Sequence, residues 1–271
     1  MKLVLKRLVG WARRTEADKV ILRYRFQFIR YRLLYLASHV FSVFPIPLVL
    51  VLRISGSDKH QPGQHRYGYT YRKLFWPYKY KPIKLLEIGV GGYGEGHGGE
   101  SLNAWQLYFP FAKIVGCDIH DKQGLATFNT KIYQLDQSSN DQLEALVKSE
   151  KPFDIIIDDG SHLSSDQIKS FEYLYPALTD GGVYIIEDVQ TFEGTCAGYF
   201  LDLEKYISQS ACGDLEGVNL RNWRLAKGIK QIVFDCNLII IIKGLNSHNG
   251  IENVAKSNPV YRGRAAEKDA R

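Results

Sequence analysis

Seven glycines fall within eleven residues, Gly89, Gly91, Gly92, Gly94, Gly96, Gly98 and Gly99, at the end of a short apolar run from Lys84 to Val90. A continuous apolar run bounded by turn residues reads as a buried parallel strand. The glycines after it require backbone that turns sharply or lies directly against a ligand. A second strand-like run, Lys113 to Cys117, delivers Asp118, about where an open α/β sheet holds ribose hydroxyls. Asp118 could instead cap a turn after a loop built from left-handed residues. Strand, glycines and acid occur in the order of a nucleotide-type site.

The carboxylates narrow the cofactor. Glu87 lies inside the strand, and Glu95 and Glu100 lie in the loop. Acids repel phosphates, yet they suit a cofactor with a cationic end, such as the ammonium and sulfonium of S-adenosylmethionine. The stretch LLEIGVGGYGEGHGGESLNAW, followed by YFPFAKIVGCDIHDK, resembles motif I and its successor in class I methyltransferases. It is most similar to the Mg²⁺-dependent O-methyltransferases acting on sugars of macrolides, tetracenomycins and glycolipids. That resemblance implies an α/β fold. Its Rossmann-like sheet is mostly parallel with an antiparallel last strand and helices on both faces, and a helical N-terminal extension precedes it. It also implies cofactor contacts at Glu87, Gly89, Gly91, Ser101 and Asp118. A third strand, Lys131 to Leu135, ends at Asp136 and Gln137, which in the family contact adenine; Asp136 could also cap the helix beginning near Ser139.

Two further apolar runs carry the chemistry. Phe153 to Ile157 delivers Asp158, Asp159, Gly160, Ser161 and His162; after a helix stop at Thr179 to Gly182, Val183 to Ile186 delivers Glu187 and Asp188. Consecutive parallel strands are usually neighbours, so these acids are expected in one cleft. Carboxylates crowded together need a cation between them, and Mg²⁺ takes oxygen ligands. The expected ligands are Asp159, Glu187 and Asp188. The alternative is that the first acid caps a turn and Glu187 pairs with a lysine. IDDGSH and IEDVQ also match the family's metal motifs. A hydroxyl becomes a competent nucleophile once its proton leaves, and histidine is the usual acceptor near neutral pH. From the residues alone His162 is a candidate; the resemblance makes it the base.

The net charge of +6 is misleading until located. Residues 1–32 hold ten Lys or Arg against Glu16 and Asp18, a balance of +8 that leaves the remainder at −2. A distributed phosphate-binding surface, and hence a nucleic-acid partner, is not expected. Leu5, Leu8, Val9 and Ala12 lie opposite Lys2, Lys6, Arg7, Arg13 and Arg14 on a helical wheel, a cationic amphipathic pattern. Leu33 to Leu52 is free of charge but interrupted by Pro45 and Pro47. Residues 1–52 are therefore expected to lie on a membrane surface rather than span it; the competing uses of the same residues are to cover the domain or to form a homo-oligomer contact. Four scattered cysteines imply neither zinc nor disulfides, and a cytoplasmic protein, peripheral on the inner face of the membrane, is expected. The chain divides into an extension, 1–55, a catalytic domain, 56–245, and a polar tail, 246–271. The segment Gly56 to Phe75 reads as a loop and short helix, a candidate lid. Acceptor specificity is expected between Thr191 and Gly228. The expected substrate is a small-molecule or lipid-linked glycoside. Two other readings stay open: a relative of cephalosporin hydroxylases with iron in the acidic site, and a non-catalytic subunit that keeps the cofactor pocket.

Overall fold

The computed structural model describes residues 46–63, 65–92, 97–189, 195–212, 225–226, 228–235 and 237–244. Seven strands form one sheet: β1 (Lys84–Ile88), β2 (Lys113–Asp118), β3 (Thr130–Gln134), β4 (Phe153–Asp158), β5 (Leu178–Ile186), β6 (Ile229–Asp235) and β7 (Leu238–Lys243). Their order is β3-β2-β1-β4-β5-β7-β6. The first five are parallel, and β7 runs antiparallel to both β5 and β6. The chain leaves β1 toward β2 on one side and later returns to β4 on the other, so a crevice opens at the carboxyl ends where the strand order reverses.

Side chains alternate across the sheet, which divides the core into two apolar layers. Leu86, Ile88, Val115 and Ile156 pack with Phe171 and Phe200 on one face; Leu85, Ile114, Ile155, Ile157, Val183 and Ile185 pack with Trp105 and Phe75 on the other. The first face is covered by α4 (Asn140–Glu150), α5 (Ser164–Leu174) and α6 (Cys196–Cys212), the second by α1 (Leu48–Ser55), α2 (Gly68–Phe75) and α3 (Glu100–Tyr108). Cys117 and Cys196 are buried free thiols.

Three elements differ from the sequence expectations. Leu48 to Leu52, read as membrane-facing, lies in α1, which Pro47 opens and Gly56 closes with φ +83°. Its Leu48, Val51 and Leu52 are buried against the α2–α3 layer, and burying three such side chains contributes roughly 5–9 kcal/mol. The apolar pattern of these positions is satisfied by the domain itself; residues 1–45 lie outside the described residues, as does the tail from 246. No helix among the described residues is long and apolar enough to cross a membrane. Thr179 to Gly182, read as a helix stop, belongs to β5, where Leu178 pairs with Phe153 before a register shift. Finally, α6 occupies the stretch expected to hold acceptor specificity, and Phe200 packs into the core 4.7 Å from Phe171; Thr191 and Trp223 of that stretch lie outside the described residues.

Candidate active site and metal centre

Strand register brings the acids together. Glu87 pairs with Ile157, and Ile157 with Ile185. Two residues beyond those isoleucines, on the same face, come Asp159 and Glu187. The ladder continues into both ends, Asp159 N donating to Ile88 O and Glu187 N to Asp158 O, each at 2.9 Å. Three carboxylates therefore face the α1–α3 layer.

Lys59, in the tight turn Asp58–His60, meets them there. Its ammonium donates to Asp159 Oδ2 at 2.6 Å and Glu187 Oε1 at 2.7 Å, and stands 3.5 Å from Glu87 Oε1. The side chain is 1% exposed. Burial opposes the lysine's charge, but Asp159, Glu187 and Glu87 more than restore it and hold the ammonium well above its ordinary pKa. Burial pushes Glu87 up to about 7 against the pull of Lys59. Burial, reinforced by Asp159, pushes Glu187 well above the carboxylate range, and burial raises Asp159 as well. One ammonium faces three carboxylates, Glu87 and Glu187 buried and Asp159 21% exposed, and any second one that ionises adds negative charge that a further cation would relieve.

Asp188 and His162 complete that side of the site. Both are non-glycine residues on left-handed backbone, at φ +53° and +58°, a conformation that costs on the order of 1 kcal/mol or more and concentrates at functional sites. Asp188 Oδ1 accepts from Tyr67 Oη at 2.5 Å and lies 3.5 Å from His65 Nδ1. Its Oδ2 is 3.9 Å from His162 Nε2, while His162 Nδ1 is buried without a hydrogen-bond partner. Glu187 Oε1 accepts from Tyr71 Oη at 2.5 Å.

A cavity of about 620 Å³ lies along the carboxyl edge, lined by Gly89, Gly91, Asp118, Asp136, Gln137, Asp159 and His162. Gly89, at φ +78°, is obligatory: a Cβ there would sit 2.0 Å from the Asp159 carbonyl oxygen. Gly91, also at φ +78°, would meet only Gly98 Cα at 3.8 Å, which leaves its open side to a ligand. Asp118 accepts from the backbone of Val90 at 3.2 Å and of His120 at 2.9 Å, so its carboxylate is fixed at the rim. Asp136 Oδ1 accepts from Ser138 Oγ at 2.7 Å and Ser138 N at 2.8 Å, which hold its pKa below the usual value. Gln137 clamps two loops: its Nε2 donates to both Asp158 oxygens at 2.7 and 2.9 Å, and its Oε1 accepts from Ser161 N at 2.9 Å.

Most residues expected to contact the cofactor line this cavity. Glu87 and Ser101 do not. Ser101 Oγ donates to Glu87 Oε2 at 2.9 Å, Trp105 Nε1 donates to the same oxygen at 3.0 Å, and Lys59 Nζ stands 3.5 Å from the other oxygen. Glu95 lies outside the described residues. The expected metal ligands divide as well. Asp159, His162 and Asp188 each offer an atom within 4.8 Å of the others, whereas Glu187 is bonded to Lys59 and Tyr71 beside them. Asp159 and Asp188, next to a third carboxylate, offer oxygen donors that fit a hard divalent cation, with the His162 imidazole beside them. Sequence reasoning placed Lys59 in a candidate lid or a helix cap and gave Tyr67 and Tyr71 no role at the acids; the local signal was the run of ionisable and aromatic residues before the first strand.

No family model matches the chain. The 8-demethyl-8-alpha-L-rhamnosyl tetracenomycin-C 2'-O-methyltransferase of Streptomyces olivaceus is 40% identical over 137 residues, 50% of this chain and 36% of that protein. The mycinamicin VI 2''-O-methyltransferase of Micromonospora griseorubida is 39% identical over 128 residues, 47% of this chain and 32% of that protein. The chain thus spans about a third of the length of these curated relatives. Among solved structures, the MycE methyltransferase of the mycinamycin biosynthetic pathway, in complex with Mg and SAH, superposes with TM-score 0.69 at 28% identity, over 75% of this chain and 55% of that one. The same enzyme with Mg, SAH and mycinamycin VI superposes with TM-score 0.66, also at 28% identity, over 76% of this chain and 57% of that one. The fold is a class I methyltransferase fold like that of MycE.

Proposed function

We propose that this chain transfers the methyl group of S-adenosylmethionine to a sugar hydroxyl of a glycosylated small molecule or glycolipid, with Mg²⁺ at the acidic site. The observation that carries this is one cavity that joins the glycine loop, Asp118 and Asp136 to Asp159 and His162. The neighbours that support it act on sugar hydroxyls or hold Mg and SAH. All the relatives found by sequence are O-methyltransferases, so the oxygenase reading is set aside.

Asp118 and Asp136, fixed at the rim by backbone and serine donors, accept from the ribose and adenine end of the cofactor. The open side of Gly91 would let it lie against backbone, while Gly89 lets the first strand end close against the Asp159 carbonyl. Asp159 and Asp188, with Glu187 behind them, would hold the divalent ion, which when bound would supply an electrophile that lowers the acceptor hydroxyl's pKa. His162 Nε2 receives the hydroxyl proton, and Asp188 Oδ2, 3.9 Å away, stabilises the imidazolium that results.

The test is incubation with methyl-labelled S-adenosylmethionine, Mg²⁺ and a panel of glycosides, read by mass spectrometry. A product heavier by one methyl group in place of a hydrogen is expected. His162→Ala should lose about 10²–10⁴-fold in turnover while binding the cofactor as before. A panel-wide absence of product, or an undiminished His162→Ala enzyme, overturns the reading.

A further inference from the structure

The segment from Lys59 to Tyr71 precedes the whole sheet in sequence, yet it donates to every proposed metal carboxylate. Lys59 Nζ bonds Asp159 Oδ2 and Glu187 Oε1; Tyr71 Oη bonds the same Glu187 oxygen; Tyr67 Oη bonds Asp188 Oδ1. In each carboxylate the other oxygen, Asp159 Oδ1, Glu187 Oε2 or Asp188 Oδ2, accepts no hydrogen bond from the protein among the described residues. All three donors are buried, Lys59 at 1%, Tyr67 at 2% and Tyr71 at 0% exposure, and the two tyrosines lie one helical turn apart, so that both hydroxyls reach the consecutive acids at the end of β5. Neighbouring acids with one oxygen tied and one open cannot rotate to relieve their repulsion, and their open oxygens remain directed at the shared space.

We infer that Lys59, Tyr67 and Tyr71 are positioning residues for the metal site: they orient the carboxylates before an ion arrives and touch neither the ion nor the substrate. This inference rests on the proposed Mg²⁺-dependent function. Donors behind a metal's ligands commonly govern affinity by 10- to 100-fold. Tyr67→Phe and Tyr71→Phe are the informative variants, because each removes one hydroxyl without changing the charge. Lys59→Met would alter charge and orientation together.

The experiment measures Mn²⁺, standing in for Mg²⁺, by electron paramagnetic resonance and water-proton relaxation, and S-adenosylhomocysteine by calorimetry with chelator present. Each tyrosine variant is expected to bind Mn²⁺ about tenfold more weakly, the double variant more weakly still, with S-adenosylhomocysteine affinity within twofold of the parent. Mn²⁺ affinity unchanged or increased in both variants, in a parent that binds metal and cofactor, overturns the positioning role and leaves the functional reading standing. Equal loss of metal and cofactor affinity also overturns it, since that marks general loosening. A parent that binds S-adenosylhomocysteine but no Mn²⁺ overturns the metal reading itself and the inference with it. Should Tyr71→Phe fail to fold, Tyr67→Phe, at the outer carboxylate, decides the matter alone.

Discussion

Replacing Lys59 by methionine keeps most of the side-chain volume and removes the ammonium from three carboxylates, two of them buried. At an effective dielectric near 20, contacts of 2.6, 2.7 and 3.5 Å are each worth about 5–6 kcal/mol of attraction. Most of that is offset by the cost of taking the ammonium and its carboxylate partners out of water, several kcal/mol for each ion. Removing one partner from a buried cluster leaves the other charges uncompensated, and the net loss is about 3–5 kcal/mol. In a domain of this size that lowers the midpoint of thermal unfolding by roughly 10 °C. The loss depends on pH. In the parent Lys59 pulls the pKa values of Glu87, Glu187 and Asp159 down against the burial that raises them; without it they rise further above their unfolded values, so the variant's stability falls more steeply than the parent's as pH rises through them. Thermal unfolding followed by circular dichroism, with chelator present so that no divalent ion replaces the lysine, should therefore show a larger deficit at pH 8 than at pH 6. A Lys59→Met protein that melts within 2 °C of the parent at pH 8, or whose deficit grows on acidification, would refute the idea that the ammonium holds these acids together.

Glu150, though buried, is held at about 2 by hydrogen bonds from Lys131, Tyr133 and Lys84. Its contribution is present above the unfolded value and disappears as pH falls toward 2. Lys131 is 69% exposed, so the full shift overstates the effect; urea unfolding of Glu150→Gln should show a loss of about 1–2 kcal/mol at pH 7, shrinking progressively below about pH 4. Gly89→Ala puts a methyl group into the Asp159 carbonyl and should reduce S-adenosylhomocysteine affinity more than tenfold along with stability, whereas Gly91→Ala meets no such clash and should cost only about 1–2 kcal/mol of backbone strain; calorimetry and chemical unfolding of the pair compare them. Deleting residues 1–45 should leave a folded domain, while deleting 1–55 removes Leu48, Val51 and Leu52 and should lower the melting midpoint sharply. If the shorter deletion still sediments with anionic vesicles as the full chain does, membrane attachment by the basic segment is rejected.

What was legible in the sequence was what neighbouring residues encode. Short apolar runs marked β1, β2 and β4, the glycines marked the cavity wall, and Asp159, Glu187 and Asp188 could be placed together because consecutive parallel strands adjoin. Lys59 was illegible for the opposite reason. Its partners lie 100 and 128 residues away, and a lysine between aspartate and histidine in a polar stretch has the local pattern of a solvated loop. Hydrophobicity likewise established that Leu48, Val51 and Leu52 would be covered without saying by what. Asp180, Gly181 and Gly182 concealed the start of β5, since three turn-forming residues outweigh pattern in so short a window. Glu87 was read as a ligand-facing acid because alternation says which face a strand residue occupies only once the cavity's side is known.

The position of Lys59 also bears on how the protein is made. Its carboxylate partners are synthesised in the order Glu87, Asp159, Glu187, so a nascent chain holds an ammonium near the start of the domain that must wait for residue 187 to leave the ribosome. Until then the ammonium has only Glu87 and Asp159 to pair with and lacks the Glu187 oxygen that lies 2.7 Å from it in the finished fold. Closure of the acidic site thus waits for β5, since a chain that stops before it lacks the contact between Lys59 and Glu187.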